Sequence, residues 1–301
     1  MPSARDVLLL PPTRSDQDEV EQRFFSAICL GNGTPKITSA RRLDDLNSLI
    51  QEHLPDRRPV RAMDVGISSG VSTLEWFASL RSAGVDCQMV AGDLSAHALL
   101  WNVGSIVRVL TEETGHPLQY EIGGLAISNA PHRLRQLVLA IPNRLSRAFL
   151  RRSARTETHS NGAAASVTSQ RVALVSPRLT VETEIEIIDD DVFQDWMSPR
   201  RFDVVRVANV LNPTHFDPDL ISKGIISLHQ RLATGGLLVI CRSDGAADRM
   251  GNWASVLRRQ RDGSLTVEAR LRGGSELESS ALAAGQRVAK ELRSVSRETP
   301  A

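Results

Sequence analysis

The stretch MDVGISSGVSTLEW, residues 63–76, decides the fold class. It begins as an apolar run, passes through a turn of small residues from Gly66 to Gly70, and ends in a segment typical of a helix. A buried strand, a glycine-rich turn and a helix in succession form the first unit of a parallel α/β sheet. The turn is either a place where the backbone approaches a ligand closely or only a tight connection.

The same alternation of strands and helices continues along the chain. Further buried strands are predicted in CQMVAGD, EIEIIDDDVF, RFDVVRVANVL and TGGLLVICRS, with a helix over about 219–232. NWASVLRRQ and SLTVEARLR, joined by a turn that includes Asp262-Gly263, predict an antiparallel hairpin at the edge of the parallel sheet. Helices are expected within 16–30, 39–54 and 280–301. The predicted fold class is therefore α/β, with a doubly wound, mostly parallel sheet and an antiparallel C-terminal hairpin.

One region interrupts the alternation. SIVRVLTEETGHPLQYEIGGLAI predicts a second hairpin, turning at 114–117, and residues 132–155 predict a basic amphipathic helix that Pro142 kinks or splits. We interpret this region as a large insertion. The expected organisation is an N-terminal helical segment, two halves of a core separated by the insertion, and a C-terminal helix and tail: 1–57, 58–102, 103–180, 181–275 and 276–301.

Composition limits the classes of function. A net charge of +1 argues against a general nucleic-acid binder. The three cysteines are far apart and show no zinc-binding spacing, so no metal is expected and a reducing compartment is favoured. No segment approaches the ~20 apolar residues that span a bilayer, and the apolar run near the N-terminus is too short for a signal peptide. We expect a cytoplasmic protein.

Carboxylates follow three of the predicted strands. Asp64 lies two residues before Gly66, Asp93 ends the second strand, and three aspartates, 189–191, follow the third. Because ligands bind at the carboxyl ends of the strands in such sheets, these acids should edge one site. Acids there favour a ligand with hydroxyls, an amine and a positive charge over one with a pyrophosphate. Asp93 also has the spacing of an acid that binds ribose hydroxyls.

These motifs resemble the class I S-adenosylmethionine-dependent methyltransferases, whose fold is Rossmann-like. The resemblance covers roughly 59–93 and 181–271: MDVGISSG is similar to the first motif of the family, MVAGDLS to the second, IIDDDVF to the third and FDVVRVANVL to the fourth. The reversed C-terminal hairpin is also similar to the family's last two strands. The segment VANVLNPTHF is loosely similar to chemotaxis-receptor and small-molecule methyltransferases. The chain departs from the family's pattern at Ser68, where a glycine is usual.

The resemblance implies S-adenosylmethionine as the cofactor and assigns residues to it. The turn residues Gly66 and Gly70, with Asp64, would frame the methionine end and the sulfonium. Asp93 would bind the ribose, and Asp190 or Asp191 would lie beside the adenine with Val192. The full set of expected cofactor-binding residues is Asp64, Gly66, Ser68, Ser69, Gly70, Asp93, Leu94, Asp190, Asp191, Val192 and Asn209.

Methyl transfer from a sulfonium needs mainly alignment of the acceptor, so a catalytic acid–base pair is not required. His215 should lie near the mouth of the site and is a candidate general base; an ordinary loop histidine is the alternative. We expect a small-molecule or lipid-linked acceptor. The arginine-rich segment 132–155 is either a lid over the site or a peripheral membrane contact.

Two other functions stay open at this point. The chain could be a non-catalytic S-adenosylmethionine-binding or regulatory module that kept the fold, to which Ser68 and the large insertion point. It could also be a nicotinamide-dependent oxidoreductase, which Asp64 and the reversed hairpin oppose. The acceptor and the oligomeric state do not follow from the sequence.

Overall fold

The computed structural model describes residues 1–9, 11, 16–36, 39–56, 58–129, 167–244 and 251–298. The helices are α1 Ala4–Leu8, α2 Gln17–Phe25, α3 Asp44–Glu52, α4 Val71–Ser82, α5 Pro177–Thr180, α6 Pro218–Arg231 and α7 Glu278–Glu298. The strands are β1 Val60–Val65, β2 Cys87–Asp93, β3 His97–Val103, β4 Val107–Thr111, β5 Pro117–Ile122, β6 Leu125–Ser128, β7 Val167–Ala173, β8 Ile185–Asp189, β9 Phe202–Ala208, β10 Leu232–Asp244, β11 Gly251–Arg259 and β12 Leu265–Leu271.

Two compact units can be distinguished, each built around one sheet. The parallel unit comprises residues 39–67, 71–94 and 182–301. Its seven strands lie in the order β12-β11-β10-β9-β1-β2-β8. The five strands from β8 to β10 in that order are parallel, whereas β11 and β12 form an antiparallel hairpin beside β10. This confirms the predicted α/β fold class and the predicted C-terminal hairpin.

Helices cover both faces of the parallel sheet. On one face, Met63 and Val205 face each other across β1 and β9 and belong to an apolar core shared with α6 and α7. On the other face, Asp64 and Arg206 hydrogen-bond to residues of α3 and α4. Because side chains alternate along a strand, one face of β1 and β9 is apolar and the opposite face carries polar groups.

The antiparallel unit comprises residues 1–38, 68–70 and 95–181. Its strands lie in the order β6-β5-β4-β3-β7. One apolar cluster joins this sheet to the N-terminal helices, with the fully buried Phe24 of α2 among Leu100, Leu110 and Leu118. The strands β4 and β5 form the hairpin predicted around Thr114–Pro117, with Gly115 in a left-handed conformation.

Each compact unit combines segments that are distant from one another in the chain. The segment HALLWNV, residues 97–103, forms strand β3 and pairs with β4 and β7. Residues 1–38 belong with the antiparallel sheet because their apolar side chains are buried on it. The basic amphipathic helix predicted over 132–155 lies outside the described residues. Within the described ranges, no helix has the length and apolar character needed to cross a bilayer.

His229 anchors the C-terminal hairpin of the parallel unit. It lies in the last turn of α6, is 1% exposed, and its Nε2 is 2.7 Å from the carbonyl oxygen of Gly263 in the β11–β12 turn. Since a carbonyl only accepts, Nε2 carries the proton in this contact. Burial is the main cause that lowers the pKa of His229 from 6.5 to about 4.

We expect this histidine to make folding stability depend on pH. The unfolded chain takes up a proton near pH 6.5, whereas the folded chain does so only near pH 4, so stability is lost as the pH falls through that window. At pH 5 the loss should reach about 2 kcal/mol relative to pH 7.5. Urea unfolding at the two pH values measures it.

The variant His229→Gln isolates this effect from the titration of carboxylates. The parent should lose about 2 kcal/mol more than the variant between pH 7.5 and pH 5. The exposed His215 serves as the matched control, because His215→Gln makes the same chemical change but leaves the buried contact of His229 with Gly263 in place. If the parent and His229→Gln lost the same free energy of unfolding between pH 7.5 and pH 5, the prediction would be contradicted.

Candidate active site at the switch point of the parallel sheet

The parallel sheet has one point at which the direction of its winding reverses. From β1 the chain proceeds outward to β2 and β8, and it then returns to the other side of β1 to form β9 and β10. The carboxyl ends of β1 and β9 therefore flank the switch point, where open α/β sheets bind ligands. Val65 pairs with Val207 there, so the glycine turn after β1 and Asn209 after β9 start at the same level.

The first half of the glycine turn is tied to β2. The backbone N–H groups of Gly66 and Ile67 both donate to the carbonyl oxygen of Gly92, at 2.8 and 3.2 Å. Gly66 has φ of +75°, and a Cβ at this position would stand 2.1 Å from Cγ2 of Val210. Two amides that a phosphate-binding loop would direct at its ligand are thus used within the sheet. This geometry does not favour a pyrophosphate.

The second half of the turn, Ser68–Gly70, belongs to the antiparallel unit. Ser68 takes a left-handed conformation with φ of +55°, at the position where the methyltransferases that the sequence resembles usually have a glycine. The backbone N–H of Ser176 donates to the carbonyl oxygen of Ser69 at 2.8 Å. A Cβ on Gly70 would stand 2.7 Å from Cδ2 of Leu179. Both glycines of the turn therefore have a packing reason to be glycine.

Asp64 is engaged by an arginine of the neighbouring strand. Arg206 lies opposite it in the register of β1 and β9, and its Nε and Nη2 donate to the two carboxylate oxygens at 2.9 and 2.5 Å. The hydroxyl of Thr73 donates to the same carboxylate at 2.8 Å. Both side chains of the ion pair are nearly inaccessible, at 1% and 5% exposure. Each carboxylate oxygen of Asp64 therefore already accepts a charge-assisted hydrogen bond.

Arg206 also makes contacts with side chains and a backbone carbonyl besides those with Asp64. Its Nη1 donates to Oδ1 of Asn47 at 2.6 Å, and its Nη2 also donates to the carbonyl oxygen of Ser72 at 3.1 Å. The guanidinium carbon lies 4.3 Å from the ring centroid of the buried Trp76. Sequence reasoning missed this residue. Its one signal was a basic residue in the apolar run FDVVRVA, which requires a buried anionic partner.

At the end of β2, a buried carboxylate adjoins an exposed apolar side chain. Asp93 is 8% exposed, whereas Leu94 is 57% exposed. The carbonyl oxygen of Asp93 accepts from the backbone N–H of Asp190 at 2.9 Å, so the segments that follow β2 and β8 lie together. A carboxylate beside an apolar surface suits a ribosyl base, because the carboxylate accepts hydrogen bonds from the ribose hydroxyls and the apolar surface packs on the base.

The aspartates that follow β8 each make a different contact within the protein. Asp190 forms an ion pair of 2.5 Å with the fully buried Arg231 at the end of α6. Oδ1 of Asp191 accepts from the backbone N–H of Phe193 at 2.9 Å, which closes a local turn. Val192 is buried in the apolar core. The segment that the resemblance places beside the adenine thus lies next to Asp93. The ion pair of Asp190 with Arg231 could not be predicted from the sequence.

Asn209 ends β9 in a left-handed conformation, with φ of +60°. Its side chain brackets Ser243 of β10: Oδ1 accepts from the backbone N–H at 2.7 Å and Nδ2 donates to the hydroxyl at 3.1 Å. His215 lies exposed in the loop between β9 and α6, where its backbone N–H donates to the carbonyl oxygen of Asn212. No group of three metal-binding side chains occurs in the described part of the chain.

The chain was compared with protein families, with curated proteins and with solved structures. No protein-family model and no curated protein matches the chain. Among solved structures, it is similar to CalS10, an amino pentose methyltransferase from Micromonospora echinaspora with bound SAM. The identity is 14%, over 85% of this chain and 84% of that chain, with a TM-score of 0.35. It is also similar to the N-methyltransferase NodS from Bradyrhizobium japonicum WM9, in complex with S-adenosyl-L-homocysteine: 13% identity, 78% and 79% coverage, and a TM-score of 0.33.

A third similar structure is the CMeT domain of the citrinin polyketide synthase, at 11% identity and a TM-score of 0.36. This likeness covers 76% of the present chain but 40% of that chain, less than two thirds of its length. Identities and TM-scores this low establish no activity for the present chain. Its fold class rests on its own strand order and pairing.

Proposed function

We propose that the chain is an S-adenosylmethionine-dependent methyltransferase. The observation that carries the proposal is a combination of two features at the switch point. The first two backbone N–H groups of the glycine turn after β1 donate to β2 and are not available to a phosphate, and a buried carboxylate, Asp93, lies at the end of β2. The doubly wound sheet with a reversed hairpin beside β10 supports it. The residues present fit a ligand with a ribosyl base and a sulfonium better than a dinucleotide.

Within this proposal, the residues at the ends of β1, β2 and β9 have separate roles. Asp93 accepts the hydrogen bonds of the ribose hydroxyls, and Leu94 offers an apolar surface to the base. The turn Gly66–Gly70 lines the methionine end, and Asn209 lines the opposite side of the switch point. Asp64 acts at a distance from the ligand, because Arg206 and Thr73 occupy its oxygens.

When bound, the cofactor supplies a methyl group on a sulfonium, which is already a strong electrophile. The protein then mainly has to hold an acceptor in line with that methyl, and positioning of this kind can supply about 7–11 kcal/mol. The exposed His215 stays the candidate base for an acceptor that must lose a proton. We propose a small-molecule or lipid-linked acceptor, with membrane contact through residues 132–155 as the route to a lipid-linked one.

Calorimetric titration with S-adenosylhomocysteine is the direct test. We expect saturable binding, and we expect Asp93→Asn to weaken it about 10- to 100-fold, because hydrogen bonds to a charged group are worth about 1.5–3 kcal/mol. Asp219→Asn, an exposed acid on α6, is the matched control and should bind as the parent does. Folded parent protein that releases no heat with S-adenosylhomocysteine would refute the proposal.

Two observations favour a second candidate, a non-catalytic S-adenosylmethionine-binding or regulatory module. Two of the predicted ligand-binding acids, Asp64 and Asp190, are occupied by arginines of the chain itself. Both turn glycines are also explained by packing alone. Binding of S-adenosylhomocysteine without transfer of labelled methyl to a panel of small-molecule and lipid-linked acceptors would support this candidate over the enzyme.

A further inference from the structure

Lys36 is a buried lysine that contacts the glycine turn. Its side chain is 1% exposed, and its Nζ donates to the carbonyl oxygen of Ser68 at 3.2 Å. Only three of the chain's 36 basic residues are lysines, so this ammonium is an uncommon choice in an arginine-rich chain. A compact ammonium on a flexible stem suits a single carbonyl oxygen better than a planar guanidinium does.

The backbone that carries Lys36 is itself anchored. The chain from Leu30 to Thr34 folds into a tight turn, in which Leu30 N–H donates to the carbonyl oxygen of Thr34 at 3.0 Å. Cys29 and Pro35 form a β-bridge, and the backbone N–H of Lys36 donates to the carbonyl oxygen of Ile28. The ammonium therefore extends from a fixed base, as is required of a group that holds another segment in place.

The segment that Lys36 holds is strained. Ser68 has φ of +55°, which is unfavourable for a residue with a Cβ and persists only where the surroundings impose it. The next residue is fixed by Ser176, whose N–H donates to the Ser69 carbonyl oxygen, and Gly70 packs closely against Leu179. The Lys36 ammonium and Ser176 thus hold two successive carbonyl groups of the turn. A charged donor makes the stronger kind of hydrogen bond.

We propose that Lys36 is a positioning residue, which holds Ser68 in its left-handed conformation and so gives the glycine turn the shape that binds the ligand. The proposal rests on the proposed function, because that function places the ligand at this turn. It also explains how serine replaces glycine at position 68. The conformation that glycine would adopt freely is imposed here by an ammonium group.

The test uses the full chain and three variants, with two readouts. Lys36→Met removes the donor and keeps the apolar stem, Lys36→Arg keeps a charged donor, and Lys223→Met removes an exposed lysine of α6 as the matched control. Hydrogen exchange of peptides covering residues 66–72, without ligand, reports on the turn. Titration with S-adenosylhomocysteine reports on binding.

For Lys36→Met we expect exchange in the turn to rise about 10-fold and S-adenosylhomocysteine affinity to fall about 10-fold, the effect of one lost charged hydrogen bond. Lys36→Arg, whose larger planar guanidinium fits this buried site less well, should recover part of both, and Lys223→Met should change neither. Should Lys36→Met fail to fold, Lys36→Gln, which keeps a neutral donor, is expected to give smaller changes in the same direction.

Two results would overturn the proposal: unchanged exchange at the turn in folded Lys36→Met, or faster exchange with unchanged affinity. Failure of the proposed function is a separate outcome. There the parent would bind no S-adenosylhomocysteine, while exchange in the ligand-free turn would still report whether Lys36 holds Ser68.

Discussion

Replacing Arg206 by methionine is expected to lower the free energy of unfolding by about 3–5 kcal/mol, because it removes the charged partner that donates to both oxygens of the buried Asp64 carboxylate. The side chains of this pair are 1% and 5% exposed, so water cannot replace the lost partner. The same change also removes the contacts of Arg206 with Asn47 and with the ring of Trp76. Urea unfolding at neutral pH measures the loss.

Two further variants keep this prediction testable. In the double variant Asp64→Asn with Arg206→Met, neither charge of the buried ion pair remains, and most of the lost stability should return. Arg200→Met is the matched control, since its ion pair with Glu186 is 46% and 53% exposed and should contribute less than about 1 kcal/mol. If Arg206→Met were as mild as Arg200→Met, the ion pair would not hold β1 and β9 together.

Gly66→Ala is expected to cost about 2–5 kcal/mol in the free energy of unfolding. A left-handed backbone with a Cβ costs about 1–2 kcal/mol, and overpacking adds about 1–3 kcal/mol. The added Cβ would stand 2.1 Å from Cγ2 of Val210, so either the turn or the start of the β9–α6 loop must move. Within the proposed function, the same shift would also weaken S-adenosylhomocysteine binding.

Gly84 separates the two contributions to this cost. It also has a positive φ, of +72°, but a Cβ there meets nothing within 4 Å, so Gly84→Ala should show only the backbone cost of about 1–2 kcal/mol. Combining Gly66→Ala with Val210→Ala should recover part of the steric cost, as a double-mutant cycle would reveal. Equal losses for Gly66→Ala and Gly84→Ala would show that the clash with Val210 is relieved without cost.

Much of the parallel unit could be predicted from local pattern. The run MDVGISSG identified β1 and its turn because an apolar run ending in small residues has few other structures available. The turn dipeptide at Asp262-Gly263 predicted the C-terminal hairpin in the same way. The acids Asp64, Asp93 and Asp190 were expected at the carboxyl ends of strands, and they lie there.

The electrostatic partners of these acids could not be predicted, because they depend on register and on packing between distant segments. Arg206 reaches Asp64 only when β9 lies beside β1 in one particular register, over a separation of 142 residues. Arg231 meets Asp190 from the far end of a helix. Nothing in the sequence links Lys36 to the glycine turn, because its target is a backbone carbonyl, which leaves no trace in side-chain patterns.

The antiparallel unit combines segments that are distant in the sequence, residues 1–38 and 95–181, and that are therefore synthesised at different times. Oε1 of Gln119 accepts from the N–H of Ala4, which lies 115 positions earlier in the sequence, and its Nε2 donates to the carbonyl oxygen of Pro2. Phe24 and Ile28 likewise have no sheet to cover them until β3, β4 and β5 have emerged. Non-local pairing of this kind slows folding and leaves apolar surface exposed during synthesis. The helices α1 and α2 are thus made before the strands on which their apolar side chains pack, and they reach their native packing only once β3, β4 and β5 have followed.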